Sequence, residues 1–320
     1  MKADSRQLAV ALAVAVIALS GCAPSGDDSE VVEPDAQPAY PVLQTYPDIE
    51  VVENLDYGSG TDGILLDVCL PEEEAVTVSG TNEPETATLR AAMLSVHGGS
   101  WRQGDKDNVN WRSMCQWLAS EGFVAFSVNY RLAPANPFPA GIEDIRRVVR
   151  WLREDAQIDR FDIDPDRIGA LGGSAGGNLV ALLGLEGEGD LTDGTRVAAV
   201  VDLSGPVDLT TAGFSLGGVS PEFRTIQLEY LGCADYAACP QARDASPLYD
   251  VDSSDPPFFV GHSFDELIPI EQSDALVKAL RDAGADATYV TVEGTLHSIA
   301  MLDDDLRARI TDWLRAKLAP

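Results

Sequence analysis

An apolar run, Ile168–Leu171, leads without a break into Gly172-Gly173-Ser174-Ala175-Gly176-Gly177, and a helical stretch, Ala175–Gly184, follows at once. Few backbones satisfy that order. A strand that turns into a helix within one residue needs small neighbours on both sides of the turn, and the pattern G-x-S-x-G then holds the serine hydroxyl out over the end of the strand. A nucleotide-binding loop built on the same glycines would need a Lys-Ser/Thr pair after them or a G-x-G-x-x-G register, and the sequence has neither. The segment therefore predicts a strand of a mostly parallel sheet with an exposed serine, Ser174, at its carboxyl end.

The rest of the chain agrees with such a sheet. From Ile49 to Pro320 short apolar runs alternate with amphipathic stretches, the pattern of a parallel sheet covered by helices. Strands are expected at Ile49–Val52, Gly63–Leu70, Ala91–Val96, Phe123–Asn129, Arg167–Leu171, Val197–Leu203, Pro257–Gly261 and Thr288–Val292. Helices are expected at Trp111–Ser120, Ile142–Arg153, Ala175–Gly184, Glu271–Ala283 and Ile299–Lys317. Ile142, Ile145, Val149 and Leu152 form one helical stripe facing the sheet. The alternation never breaks, so residues 48–320 read as one α/β domain rather than two lobes. The stretch Gly205–Pro256 is long and weakly periodic, which suits a lid or pocket wall.

A serine on such an elbow needs a base, and the chain has three histidines, His97, His262 and His297. His297 follows the last expected strand, at the sheet edge where the elbow opens. A carboxylate should orient it, and Asp265, in the loop after the preceding strand, is the expected one, with Glu266 beside it and Asp202 as the other carboxylates within reach. The order Ser174, Asp265, His297 is that of the α/β-hydrolase fold. His97-Gly98-Gly99-Ser100-Trp101 supplies a turn whose amides, those of Gly99 and Ser100, would join the amide of Ala175 in holding an oxyanion. Gly98 lets the backbone approach closely and His97 braces the loop. Trp101 suits either core or pocket wall. Asp162, Asp164 and Asp166 alternate like the start of a calcium loop, but Arg167 and Gly173 stand where such a loop needs glycine and glutamate, so no calcium site is expected there, and the triad chemistry implies no metal or other cofactor.

Several blocks resemble esterases and lipases of the α/β-hydrolase fold related to hormone-sensitive lipase, and more closely the bacterial acetylxylan and feruloyl-type esterases. They are His97–Trp101, Ser127–Pro134, Asp164–Ile168, Gly172–Asn178, Leu203–Pro206, His262–Pro269 and His297. Ser100 replaces the third glycine of the lipase-type loop, and Ser263 stands where a glycine commonly follows the histidine. The resemblance implies hydrolysis of short-chain, acetyl or aryl carboxylic esters through an acyl-enzyme, with acylated carbohydrate among the substrates. The residue pattern by itself implies nucleophilic acyl transfer, which leaves open an exopeptidase of the same fold or a non-catalytic surface-binding protein on the scaffold.

The amino terminus adds an address. Lys2 and Arg6 precede the uncharged run Leu8–Leu19, and Leu19-Ser20-Gly21-Cys22 resembles the bacterial lipobox. A helix over that run covers about 18 Å of a ~30 Å hydrocarbon core, too little to span it, so residues 1–21 read as a lipoprotein signal peptide and Cys22 as the lipidated residue. Residues 22–47, rich in Pro, Ser and acidic residues, read as a tether. The expected location is extracytoplasmic, with membrane contact through the anchor only. With 52 Asp+Glu against 22 Lys+Arg the net charge is −30, which excludes a nucleic-acid partner. In an exported chain Cys233 and Cys239 are expected to form a disulfide, while Cys69 and Cys115 fit a bridge or two free thiols equally.

Overall fold

The computed structural model describes residues 44–320 apart from residues 59, 61, 62 and 73–88. The expected signal peptide, Cys22 and nearly all of the tether lie outside the described residues. The chain divides into a unit of residues 1–37 and a unit of residues 38–320, and only the second holds described residues.

Its strands are β1 (Glu50–Leu55), β2 (Leu66–Leu70), β3 (Arg90–Val96), β4 (Val124–Val128), β5 (Ile163–Gly173), β6 (Ala199–Leu203), β7 (Phe258–Ser263) and β8 (Ala287–Val292). They form one sheet in the order β1-β2-β4-β3-β5-β6-β7-β8, antiparallel at β1/β2 and β2/β4 and parallel from β4 onward. This is the α/β-hydrolase fold. The helices are α1 (Val109–Ser120), α2 (Ala140–Leu152), α3 (Asp155–Phe161), α4 (Ala175–Gly184), α5 (Pro221–Leu231), α6 (Gln241–Asp244), α7 (Ile270–Ala283) and α8 (Asp304–Lys317).

Both faces of the sheet are covered, and the strand alternation shows how. Ala92, Leu94 and Val96 of β3 join a core with Ile142, Ile145, Val149 and Leu152 of α2 and with Leu179 and Leu276 of α4 and α7. Met93 points the other way, into a core with Trp117 and Leu118 of α1 and Ile310 and Leu314 of α8. A strand apolar on both faces is what a doubly covered parallel sheet requires.

Several elements differ from the sequence reading: β5 runs Ile163–Gly173 where Arg167–Leu171 is expected, and α3 has no counterpart among the expected helices. Residues 44–47, read as the end of the tether, bond to the domain: the Ser113 hydroxyl donates to the Gln44 carbonyl at 2.8 Å and the Gln116 side-chain amide to the Tyr46 carbonyl at 3.2 Å. Helix α8 begins at Asp304, where the Asp303 carboxylate accepts the Leu306 amide at 2.8 Å; a 3-10 turn, Ser298–Met301, precedes it. Within Gly205–Pro256 stands α5, capped by the Ser220 hydroxyl, started by Pro221 and stopped by Gly232 in the left-handed region. Cys233 and Cys239 are bonded just beyond it, and Cys69 on β2 is bonded to Cys115 on α1.

Candidate active site

Strand β5 ends at Gly173 and α4 begins at Ala175, so Ser174 alone makes the turn. Its φ of 57° and ψ of −122° are strained for a residue with a Cβ. The glycines around it make the turn feasible. A Cβ at Gly172 would overlap the Gly176 carbonyl, and one at Gly176 would overlap the Val96 carbonyl. The Ser174 amide donates to the Leu203 carbonyl at 2.8 Å, which ties the elbow to the end of β6. Ala175 is the first residue of α4, so its N–H has no partner within the helix.

The turn after β3 lies against this elbow. A Cβ at Gly98 would stand 2.7 Å from the Gly173 carbonyl oxygen and 3.3 Å from the Ser174 Cβ. Gly99, Ser100 and Trp101 have φ of 123°, 55° and 56°, so three consecutive residues leave the ordinary regions and reverse the chain beside the serine. The turn is held from both sides. His97 is buried, stacks on Tyr130 at 4.3 Å, and accepts the Tyr130 hydroxyl on its carbonyl at 2.9 Å. Burial lowers its pKa to about 4, so the ring stays neutral and is a weak proton acceptor. Trp101 is core: it stacks on Tyr230 of α5 at 4.2 Å with 7° between the rings. Arg102 pairs with Glu229 of the same helix at 2.8 Å, and the Phe138 amide donates to the Tyr230 carbonyl at 2.7 Å. Helix α5 is thus bolted to the turn as a fixed wall.

His297 stands between β8 and the 3-10 turn, and its Nδ1 is hydrogen-bonded to Glu266. The expectation that Asp265 carries this role is corrected by the geometry. Phe264 and Asp265 occupy the tip of the turn that leaves β7 and are both exposed, while the Glu266 side chain folds back and is fully buried. The Asp265 amide is engaged with the Gly294 carbonyl at 3.1 Å, which fixes the turn in that orientation. Asp202 is not the partner either: it is buried, accepts the Gly205 amide at 2.9 Å, and burial raises its pKa to about 6.

Glu266 lies between two imidazoles. On its far side His262, fully buried, has Nε2 at 2.8 Å from the Ile268 carbonyl and 2.7 Å from Glu266 Oε1. Glu266 Oε1 makes no hydrogen bond among the described residues, so the Nε2 proton points at the Ile268 carbonyl with Oε1 beside it. The Ser273 hydroxyl meets His262 Nδ1 at 2.6 Å. Burial opposes the charge on Glu266, but the two histidines outweigh it and lower its pKa to about 2. Burial likewise opposes protonation of His262, and the neighbouring Glu266 more than offsets it, so that pKa is raised. The Nε2 of His297 is buried and has no hydrogen-bond partner among the described residues, the Ser174 hydroxyl included. Those residues also hold no group of three His, Cys, Asp or Glu side chains suited to a metal ion.

Residues 82–280 match the BD-FAE family, a span that includes the turn after β3, the serine elbow and Glu266. The chain belongs to the BD-FAE family. This BD-FAE chain is 32% identical over 228 residues to esterase LipC of Mycobacterium tuberculosis, across 66% of this chain and 53% of LipC. It is 32% identical over 256 residues to esterase LipQ of the same organism, across 77% of this chain and 56% of LipQ. It thus spans about half the length of these curated relatives. A truncated carbohydrate esterase from gut microbiota has the same fold, with a TM-score of 0.67 at 24% identity over 89% of this chain and 99% of that one.

Proposed function

We propose that this BD-FAE domain is a serine carboxylic-ester hydrolase in which Ser174 is the nucleophile, His297 the base and Glu266 the carboxylate that orients the base. The observation that carries the reading is the bond from the buried Glu266 carboxylate to a half-buried His297 whose Nε2 is unpartnered among the described residues, on a segment whose Ser298 packs against Gly173 of the strained serine elbow. His297 Nε2 takes the Ser174 proton as the serine oxygen attacks the ester carbonyl. Glu266 stabilises the imidazolium, and the amides of Gly99, Ser100 and Ala175 hold the oxyanion. Collapse of the tetrahedral intermediate returns the proton to the leaving alcohol. Water, activated by the same imidazole, then releases the acid and restores Ser174.

The esterase names of LipC and LipQ support this reading, and the carbohydrate-esterase name of the gut-microbiota structure favours esters of carbohydrate among the substrates. The lipobox-like Leu19–Cys22 supports lipid anchoring at Cys22 and an extracytoplasmic location. The test is turnover of p-nitrophenyl acetate together with labelling by a fluorophosphonate. Wild type is expected to show both and Ser174→Ala neither, with unchanged circular dichroism; equal turnover by the two proteins overturns the assignment. Acetylated xylose oligomers assayed beside aminoacyl amides separate an esterase from an exopeptidase.

A further inference from the structure

The segment carrying His297 is not part of a strand, so something other than the sheet ladder must fix it. Two buried serines meet the peptide groups on either side of this one residue. The Ser263 hydroxyl, at the end of β7, donates to the Leu296 carbonyl at 2.6 Å; Met301 Sδ lies 4.0 Å away as its second neighbour. The Ser204 hydroxyl, just past β6, accepts the Ser298 amide at 3.2 Å. Both serines are fully buried. Ser204 and Ser298 have φ of 59° and 60°, conformations that a side chain with a Cβ adopts only when its surroundings impose them. Ser204 is held in place by its own amide, which donates to the Gly261 carbonyl at 3.0 Å. The Ser298 side chain closes the arrangement, because a Cβ at Gly173 would overlap its Oγ. The loop is therefore registered against the ends of β6 and β7 and against the residue that precedes the nucleophile.

We propose that Ser263 and Ser204 are positioning residues that clamp the two peptides flanking His297 and so hold its imidazole in line between Glu266 and Ser174. The proposal rests on the reading of His297 as the base. It gives a purpose to Ser263, which stands where the resemblance leads to a glycine: a glycine has no hydroxyl to offer the Leu296 carbonyl. The clamp matters to rate more than to binding. A base displaced by about 1 Å costs up to ~10² in turnover, whereas neither serine needs to touch the substrate.

The experiment uses the purified full chain and its variants Ser263→Ala, Ser204→Ala and Ser263→Thr, with Ser174→Ala and His297→Ala as references. Active sites are titrated with a fluorophosphonate carried to completion, and folded protein is followed separately by circular dichroism, so that a loss of fold is separated from a loss of rate per site. The expected result is a fall in kcat per titrated site of about tenfold in each alanine variant, KM within about twofold of wild type, and recovery in Ser263→Thr. Unchanged kcat per site in both alanine variants, with His297→Ala inactive, overturns the clamp and leaves the functional reading intact. Wild-type turnover by His297→Ala overturns both. Ser204→Ala reports independently if the added methyl of Ser263→Thr disturbs the core.

Discussion

Replacing Glu266 by glutamine removes a charge and little else. The carboxyl is held at about 2 in place of its ordinary 4.5, a preference for the charged form of about 3 kcal/mol, shared between His262 and His297. The part acting on His297 grows in the transition state, where the imidazole becomes an imidazolium. Loss of it predicts a fall in kcat of roughly 10- to 200-fold in Glu266→Gln, with KM nearly unchanged. Asp265→Asn, one residue away at the exposed tip of the turn, is expected to stay within about twofold of wild type. Initial rates on p-nitrophenyl acetate at pH 7.5 decide between them. A loss in Asp265→Asn equal to or greater than that in Glu266→Gln would refute the reasoning. The same carboxyl leaves a mark on stability. Its folded pKa is depressed, so its contribution is fully present above the unfolded value of 4.5 and is lost as pH falls toward about 2. The Tm gap between wild type and Glu266→Gln should therefore narrow by about half from pH 5 to pH 3.

The contacts of the oxyanion turn give further expectations. Gly98→Ala would bring a Cβ to 2.7 Å from the Gly173 carbonyl, so kcat should fall by at least about tenfold while circular dichroism is unchanged. The Tyr230 hydroxyl is buried without a partner among the described residues, so Tyr230→Phe should match wild type in Tm and kcat. Tyr230→Ala, which removes the ring under Trp101, should cost about 3–5 kcal/mol in urea unfolding and lower kcat as well. Lys106 is buried with its Nζ 3.0 Å from Asp67, which also takes Arg112 at 2.6 Å. Lys106→Met should therefore lower stability by about 3 kcal/mol, read from the shift in urea midpoint, with Arg112 keeping the loss from being larger.

The fold was legible because its signal is spread over many residues. A parallel strand buried on both faces reads as an apolar run, and the stripe of Ile142, Ile145, Val149 and Leu152 is read from spacing alone; all four are buried against the sheet. Helix α5 is hidden in the sequence for the opposite reason. Its apolar periodicity is weak because its buried residues, Phe223, Gln227, Tyr230 and Leu231, include a polar side chain. Yet its ends are marked in the sequence, with Ser220 and Pro221 at the start and Gly232 at the stop. Attention to caps rather than to periodicity finds it, and with it the wall that supports Trp101.

The acid was not legible, and the reason is geometric. Sequence order places a carboxylate in the loop after β7 because the fold needs one at that sheet edge, and two adjacent acids, Asp265 and Glu266, satisfy the order equally. Which one faces His297 depends on how a turn of a few residues is oriented. That orientation is set across the loop, by the amides of Phe264 and Asp265 on the carbonyls of Val292 and Gly294 at 3.0 and 3.1 Å, partners about thirty residues away in the chain. Those two bonds commit Asp265 to the exposed tip, so the next side chain is the first that turns inward. The distance from there to the imidazole is spanned by glutamate, which carries one methylene more than aspartate. An acid that reaches farther has more ways to miss, and the loop that receives it needs a firmer hold. The hydroxyl of Ser263 on the Leu296 carbonyl supplies such a hold from the same strand end that launches the turn, so orientation of the acid and restraint of the base come from one place in the fold.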